Sequence, residues 1–235
     1  MLFASTTLAL ALGLGLGLTA ASPIAVARAG GPAIIDGKAF QLAARGELRP
    51  LDPDNAANNA WVLSMQRISQ GVYASVVVPR RAKTENPTFY FNRTEADGRQ
   101  MLNIDIPGVY PLVATVAGRD QATDGDHPGE HVVSFAPAGS GGTPGMYWFY
   151  RSPESIPLLG GGPARVGSWA VCRRPLPLPS GPKDFLQPRY VYEDEAVPSD
   201  CAPVDWVVLC ADLVPLKPGD NWNHDSVGDV KCVAQ

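Results

Sequence analysis

The sequence predicts a mainly β protein, an antiparallel β-sandwich or a related all-β fold with long loops and two disulfides. Glycine and proline, 24 and 23 of the 235 residues, are spread through the whole chain. At this density they interrupt helices and favour short strands joined by turns. Beyond the N-terminal region no segment repeats apolar residues at helical spacing over three turns, whereas about ten to twelve short β-type segments alternate with turns.

The N-terminus is predicted to be a targeting segment. Residues 8–18 alternate leucine with alanine or glycine, which gives an apolar helix too short to span a bilayer, and small residues follow it. We therefore expect a signal peptide over residues 1–21, with cleavage sites up to residue 29, and a single secreted β-rich domain over residues 30–235. The mature protein is expected to be extracellular and to have no membrane association.

The predicted strands follow one another along the chain. Residues 61–65 and 72–78 are joined by a short Ser-Gln-Gly stretch and predict a hairpin. Trp169 and Trp206 each lie within an apolar β-type segment and are predicted to be core residues. The remaining predicted strands are 39–44, 89–91, 101–106, 109–116, 131–135, 146–150, 169–172, 189–192 and 204–209.

Two of these strands carry a more specific prediction. Residues 101–106 alternate, with leucine and isoleucine on one face and Asn103 and Asp105 on the other, which predicts a half-buried strand. Residues 109–116 are interrupted by Pro111. Since proline cannot donate a ladder hydrogen bond, this segment is predicted to be an edge strand.

Three segments late in the chain carry a family resemblance. Residues 169–172 are Trp-x-Val-Cys, residues 189–192 are Arg-Tyr-x-Tyr, and residues 198–201 are Pro-Ser-x-Cys. In this order they resemble the C-terminal half of a family of small secreted proteins from filamentous fungi, catalogued only as a domain of unknown function. The resemblance covers roughly residues 165–210. Within this range residues 173–179 differ from the family, because they are rich in proline where the family is usually aromatic. The resemblance implies an all-β fold and secretion, but it assigns no active-site residues to this chain.

The cysteines predict two structural disulfides. The four, Cys172, Cys201, Cys210 and Cys232, are an even number in a chain expected to be secreted, and none is spaced for zinc. If the run between Cys201 and Cys210 is extended, these two lie about 30 Å apart and cannot pair. We favour Cys172–Cys201 with Cys210–Cys232, which keeps the cysteines of the resemblance together and needs no crossing. The alternative is Cys172–Cys210 with Cys201–Cys232.

The most charged stretch is a loop between two predicted strands. Its carboxylates could hold a hard cation such as calcium, through Asp120, Asp124, Asp126 and Glu130. A transition metal bound by His127 and His131 is a second interpretation. An ordinary acidic surface loop explains the same residues, and the spacing is not that of an EF-hand.

Two further positions are candidate sites. Trp222, Asn223 and Asp225 combine an apolar ring with hydrogen-bonding groups, as sugar-binding sites do, although a polar turn before the last cysteine explains them equally. Asn92 begins an Asn-Arg-Thr sequon, which predicts glycosylation at the surface of a secreted chain.

The function predicted from the sequence is binding. A net charge of −4 with scattered basic residues argues against a nucleic-acid surface. Ser140 lacks the spacing of a nucleophile elbow, and no catalytic residue can be named. We expect a secreted or cell-wall-associated, non-enzymatic protein without a cofactor, whose partner is an extracellular polysaccharide or a host or wall protein. The alternatives are a small secreted hydrolase and a carbohydrate-binding module.

Overall fold

Fourteen strands make up almost all of the regular structure in the described part of the chain, for which we use a computed structural model. It describes residues 31–53, 60–80, 86–93, 100–106, 110–119, 127, 129–138, 141–143, 145–151, 155–161, 167–220 and 222–235. Within these ranges there is one short 3-10 turn, Arg49–Leu51, and no α-helix. The strands are β1 (Ile34–Gly37), β2 (Ala39–Arg45), β3 (Trp61–Ser69), β4 (Val72–Pro79), β5 (Phe89–Arg93), β6 (Gln100–Asp105), β7 (Pro111–Val116), β8 (His131–Pro137), β9 (Tyr147–Tyr150), β10 (Pro157–Gly160), β11 (Gly167–Leu178), β12 (Gly181–Tyr192), β13 (Cys201–Ala211) and β14 (Val230–Val233). The predicted all-β fold is confirmed.

The strands form one large mixed sheet that closes on itself. Starting from β13, successive pairings lead through β2, β3, β4, β12 and β11 and return to β13. A second route leaves β2 for β5 and reaches β12 through β6, β7 and β8. These pairs are antiparallel, whereas β13 and β14 are parallel. A sheet that closes in this way places the apolar faces of its strands towards a shared interior.

One large apolar cluster fills that interior. Phe40 and Phe91 are fully buried, and their ring centroids are 5.0 Å apart. Trp169 and Trp206 belong to the same cluster and are 7 % and 1 % exposed, which confirms both as core residues. Truncation of a buried tryptophan costs about 3–5 kcal/mol, so these two side chains are major contributors to stability.

Both disulfides have the favoured pairing. Cys172 is bonded to Cys201 and Cys210 to Cys232, with sequence separations of 29 and 22 residues. Cys201 and Cys210 lie in the same extended strand, β13, as the sequence predicts. Each bridge closes a loop long enough to stabilise the fold by roughly 3–4 kcal/mol in the chain-entropy description.

The face of β6 that was expected to meet solvent is covered. Asn103 is 2 % exposed and the side chain of Asp105 is 4 % exposed, so the prediction of a half-buried strand is wrong. The C-terminal segment covers this face: His224 Nε2 lies 2.6 Å from Asp105 Oδ2. Tyr90 donates a hydrogen bond of 2.8 Å to the other carboxylate oxygen. Burial of the face is possible because its polar groups find partners.

The prediction of an edge strand at Pro111 is also wrong. Strand β7 lies between β6 and β8 and pairs with both. Pro111 is the first residue of β7, a position where a missing N–H costs the ladder little.

The residues that departed from the family resemblance continue a strand. Strand β11 is paired with β12 over its whole length, from Gly167 opposite Tyr192 to Leu178 opposite Gly181. The turn at its end uses Gly181, whose φ of 106° favours glycine. The proline-rich tract therefore forms the distal half of a long hairpin.

The predicted signal peptide, residues 1–21 with cleavage up to residue 29, lies outside the described residues. Residues Pro32–Gln235 form one compact unit. No helix among the described residues is long and apolar enough to cross a membrane.

Candidate functional site

The candidate site lies at a gap beside β13. Strand β2 pairs with one edge of β13 from Asp205 to Ala211. The opposite edge is shared, because β11 pairs with it as far as Val204 and β10 pairs with it at Val207. Asp205 and Trp206 therefore lie where one partner strand ends and before the next begins, and the surface opens there into a cleft.

One wall of the cleft is the β9–β10 hairpin. Alternation along β9 places Tyr147 and Phe149 on the side that lines the cleft, with ring centroids 6.0 Å apart. Tyr147 is 40 % exposed, so much of its surface is open to a ligand. Gly160, opposite Tyr147 on β10, makes room for these rings, since a Cβ there would stand 2.7 Å from Phe149 Cδ1.

The cleft combines aromatic and polar surface in a small space. Its cavity volume is about 110 Å³. The start of β11 contributes the exposed Ser168 and the ring of Trp169. The side chains that give the cleft its chemistry are Tyr147, Phe149, Arg151, Ser168, Trp169 and Asp205.

An ionic group with two cations and one anion stands at the cleft. Arg45 Nη2 and Arg151 Nη1 both donate to Asp205 Oδ2, each at 2.7 Å. Asp205 Oδ1 accepts no hydrogen bond from the described residues, and the side chain is 19 % exposed. One carboxylate oxygen is therefore held in place by two guanidiniums while the other remains available to a ligand.

Tyr190 lies against the cleft from the interior. Its ring contacts that of Trp169 edge to face, with centroids 5.2 Å apart. The hydroxyl is buried without a hydrogen-bond partner among the described residues, and a Cβ on Gly167 would collide with it. Burial raises the pKa of Tyr190 to about 12, so the hydroxyl stays neutral at ordinary pH.

A second ionic group surrounds Glu130, the buried member of the predicted cation site. Arg174 binds both carboxylate oxygens of Glu130, and Arg189 Nε donates to Oε2 at 3.2 Å. Arg174 also donates to Asp200 Oδ2 at 2.8 Å. Burial acts to lower the pKa of Arg174, but its hydrogen bonds to Asp200 and Glu130 raise it overall. Glu130 thus stabilises two buried cations, and the predicted ligands Asp120, Asp124 and Asp126 lie outside the described residues.

A grouping with metal-ligand atoms occurs at the same place. Glu130, Cys172 and Cys201 bring one carboxylate oxygen and two sulfurs within 4.8 Å of one another. The two sulfurs are joined in a disulfide, however, and a metal binds thiolates. The arrangement is consistent with a structural cluster around the disulfide.

The predicted sugar-binding residues of the C-terminal segment do not line the cleft. Asn223 Oδ1 accepts the backbone N–H of Asp225 at 3.1 Å, so its side chain shapes a local turn. Trp222 is half-buried, and its indole nitrogen is enclosed without a partner among the described residues. Asp225 is exposed, and between them His224 is bound to Asp105. This geometry fits the polar-turn interpretation.

Two histidines pair with carboxylates as in catalytic dyads. His131 Nε2 lies 2.9 Å from Glu195 Oε2, and His224 forms the pair with Asp105 described above. Among the described residues no serine, threonine or cysteine hydrogen-bonds to either ring. A nucleophilic mechanism needs such a partner, and the described residues supply none at either pair.

Asn92, the predicted glycosylation site, lies in β5 and is half-buried. It forms a bridge to Val227, and its side-chain oxygen is enclosed without a partner among the described residues. Glycosylation of Asn92 stays a prediction.

The charged residues of the cleft were not identified from the sequence. Asp205 is the single charged residue within the apolar run of residues 204–209, and this is the one local signal that could have marked it. Arg45 and Arg151 have no such signal, because each lies far from Asp205 in the chain.

A comparison with known families covers most of the chain. Residues 37–210 match the family model described as a domain of unknown function, DUF7907. The matched range includes both walls of the cleft and the Cys172–Cys201 bridge. No curated protein and no solved structure matches the chain.

Proposed function

We propose that this chain, which belongs to the family of the domain of unknown function DUF7907, is a secreted, non-enzymatic protein that binds carbohydrate in the cleft beside β13. The observation that carries the proposal is the convergence of an exposed aromatic ring, Tyr147, with an available carboxylate oxygen of Asp205. Few polar groups at fixed positions in an otherwise apolar concavity are typical of ligand sites.

A sugar ring matches both parts of this surface. One face of the ring carries C–H groups that pack on an aromatic side chain, and its rim carries hydroxyls that donate to a carboxylate. Tyr147 offers the flat apolar surface, with Phe149 beside it. Asp205 Oδ1 offers the acceptor, held in position because Oδ2 is bound to two guanidiniums.

The cleft supports binding better than cleavage of a glycoside. Glycoside hydrolysis generally uses two carboxyl groups on either side of the scissile bond. Among the described residues that line the cleft, Asp205 is the one carboxylate. A hydrolase centred on His224 and Asp105 would need a nucleophile, which the described residues do not supply.

The cysteines and the N-terminal segment together support an extracellular location. Two disulfides form and persist in oxidising compartments, and the apolar residues 8–18 have the character of a signal peptide. The carbohydrate is then a polysaccharide of the extracellular space or of a cell wall.

Co-sedimentation with insoluble polysaccharides tests the proposal. The purified protein is mixed with chitin, β-glucan and pectin gels, and the bound fraction is measured for the wild type, Tyr147→Ala and Tyr150→Ala. Tyr150 is the matched control, because it is similarly exposed at 46 % but lies on the opposite face of β9. We expect Tyr147→Ala to weaken binding about tenfold, as loss of a central aromatic contact does, and Tyr150→Ala to leave it unchanged.

Two results would count against the proposal. Equal loss in both variants would move the binding surface away from the cleft, and failure to bind any polysaccharide would remove carbohydrate as the ligand. Release of soluble sugar from any of the gels would instead favour the hydrolase alternative.

A further inference from the structure

We propose that the sugar held in the cleft carries a carboxylate, as the uronic acid units of acidic polysaccharides do. This inference rests on the proposed function and specifies its ligand. Arg151 and Asp205 are the charged residues among the described lining of the cleft, and Arg45 reaches Asp205 from β2. Both guanidiniums donate to the same carboxylate oxygen, at 2.7 Å. Arg151 is the more exposed of the two, with 52 % of its side chain accessible against 35 % for Arg45.

The charged side chains at the cleft matter more to a ligand there than the net charge of the whole molecule. The chain has a net charge of −4, which taken alone would repel an anionic ligand. At physiological ionic strength, however, exposed charges are screened beyond about 8 Å. A ligand in the cleft therefore responds mainly to the Arg45, Asp205 and Arg151 group beside it.

Arg151 has the geometry to bind a carboxylate directly. Its Nη1 donates to Asp205, while Nε and Nη2 make no hydrogen bond with other residues of the described chain. The side chain is 52 % exposed, so these donors can be reached from the cleft. A guanidinium presents its donors in a planar fork that matches the two oxygens of a carboxylate, which a lysine ammonium does not.

Other classes of sugar would leave some polar groups of the cleft without a partner on the ligand. A neutral sugar would satisfy Asp205 Oδ1 and Tyr147 but would leave the remaining donors of Arg151 to water. The ammonium of an amino sugar would pair with Asp205 but would place a second cation beside Arg151 and leave its donors unused. A uronate places its ring on Tyr147, a hydroxyl on Asp205 and its carboxylate on Arg151, so that each group of the cleft has a partner.

The cleft is small, and we propose that a single sugar ring makes most of the contacts. Its cavity volume of about 110 Å³ is below the roughly 300–1,000 Å³ of pockets that enclose drug-sized molecules. The same chemistry is offered by a free uronic acid and by one unit of a polymer. The experiment therefore includes both.

The test uses matched ligands that differ only in the carboxylate. Isothermal titration calorimetry measures binding of oligogalacturonate, of the same oligomer after reduction of its carboxyl groups to alcohols, and of free galacturonate. The protein variants are Arg151→Gln, which removes the charge, and Arg151→Lys, which keeps the charge and removes the fork. Arg119→Gln is the control, because Arg119 is an exposed arginine paired with Asp194 outside the cleft.

We expect the wild type to bind the acidic oligomer or free galacturonate at least about tenfold more tightly than the reduced oligomer, with the preference weakened by salt. Arg151→Gln should abolish the preference, Arg151→Lys should keep part of it, and Arg119→Gln should retain it fully. The melting temperature of each variant shows that the fold is intact.

The outcomes separate this inference from the proposed function. Equal binding of the acidic and reduced oligomers, or a preference that survives Arg151→Gln, overturns the uronate assignment and leaves carbohydrate binding in place. If neither oligomer nor any insoluble polysaccharide is bound, both proposals fail. If the protein binds free galacturonate and not the oligomer, the natural ligand is a small acid. If it binds the oligomer and not free galacturonate, the natural ligand is a polymer.

Discussion

Among the described residues, Glu130 and Asp205 are carboxylates that each lie between two arginines, and they differ in burial. Glu130 lies between Arg174 and Arg189, and all three side chains are less than a tenth exposed. Asp205 lies between Arg45 and Arg151, whose side chains are 35 % and 52 % exposed. Both oxygens of Glu130 accept hydrogen bonds from arginine, whereas one oxygen of Asp205 accepts none from the described residues.

The difference shows that burial decides what the same chemical group does. In the interior an ion pair must be fully satisfied, because an uncompensated charge there is expensive. Near the surface water screens the charges, so the pair adds little to stability and can leave atoms for a ligand. The Glu130 group is therefore structural, and the Asp205 group is suited to binding.

Glu130→Gln should have the largest effect on stability. The neutral amide removes the buried counterion that Arg174 and Arg189 share, at a cost of about 3–5 kcal/mol in the free energy of unfolding. The matched variant Asp205→Asn should cost about 1 kcal/mol or less, since its pair is more exposed. Denaturant unfolding of both proteins measures the difference, and equal losses would contradict the contrast between the two groups.

Gly160→Ala should affect the cleft more than the fold. The new methyl group would stand 2.7 Å from Phe149 Cδ1 and must displace the aromatic wall, which we expect to cost about 1–3 kcal/mol. Binding to polysaccharide should fall as it does in Tyr147→Ala. An unchanged affinity would show that the position of these rings does not matter for the ligand.

Tyr190→Phe should stabilise the protein by about 1 kcal/mol, because it removes a buried hydroxyl that has no partner among the described residues. Tyr190 follows Arg189, a member of the Glu130 group, in β12, and its ring packs against Trp169 of the cleft. Calorimetric melting tests the expected increase in Tm. A decrease would mean that the hydroxyl makes a bond, for example to an enclosed water.

The same residue predicts a dependence on alkaline pH. Burial raises the pKa of Tyr190 from 10.0 to about 12, so on raising the pH the unfolded chain loses this proton first. The wild type should therefore lose stability between these two values, beyond whatever loss Tyr190→Phe shows. Parallel alkaline unfolding curves for the two proteins would contradict this assignment.

Substitution of Asp200, the exposed partner of Arg174 in the Glu130 group, should have the smallest effect on stability. The hydrogen bond from Arg174 holds the pKa of Asp200 below its ordinary value of 3.8. This contribution is present above the ordinary value and is lost as the pH falls through the lowered one. Since the side chain is 61 % exposed, Asp200→Asn should cost less than about 1 kcal/mol at neutral pH. Melting temperatures of the two proteins should converge at acidic pH, and a constant gap would argue against the pairing.

The sequence predicted the covalent and local parts of this fold well. Strand β13 was readable from the apolar run after Cys201, and its extended form excluded a Cys201–Cys210 bond, which left two possible pairings. The prediction failed where a distant segment changed the environment of a strand. The polar face of β6 was expected to meet solvent, and it is buried because His224, 119 residues later in the chain, binds Asp105.

The class of fold, the core tryptophans and the exclusion of a Cys201–Cys210 bond follow from the sequence, because alternation, turn residues and cysteine spacing act over a few neighbouring residues. The two ionic groups were decided only by the tertiary structure. Asp205 meets Arg45 across 160 residues and Arg151 across 54, and Glu130 meets Arg174 across 44. No local pattern encodes such a meeting, since it depends on which strand edges pair when the sheet closes. Whether a carboxylate is enclosed or left open to a ligand is decided by that closure.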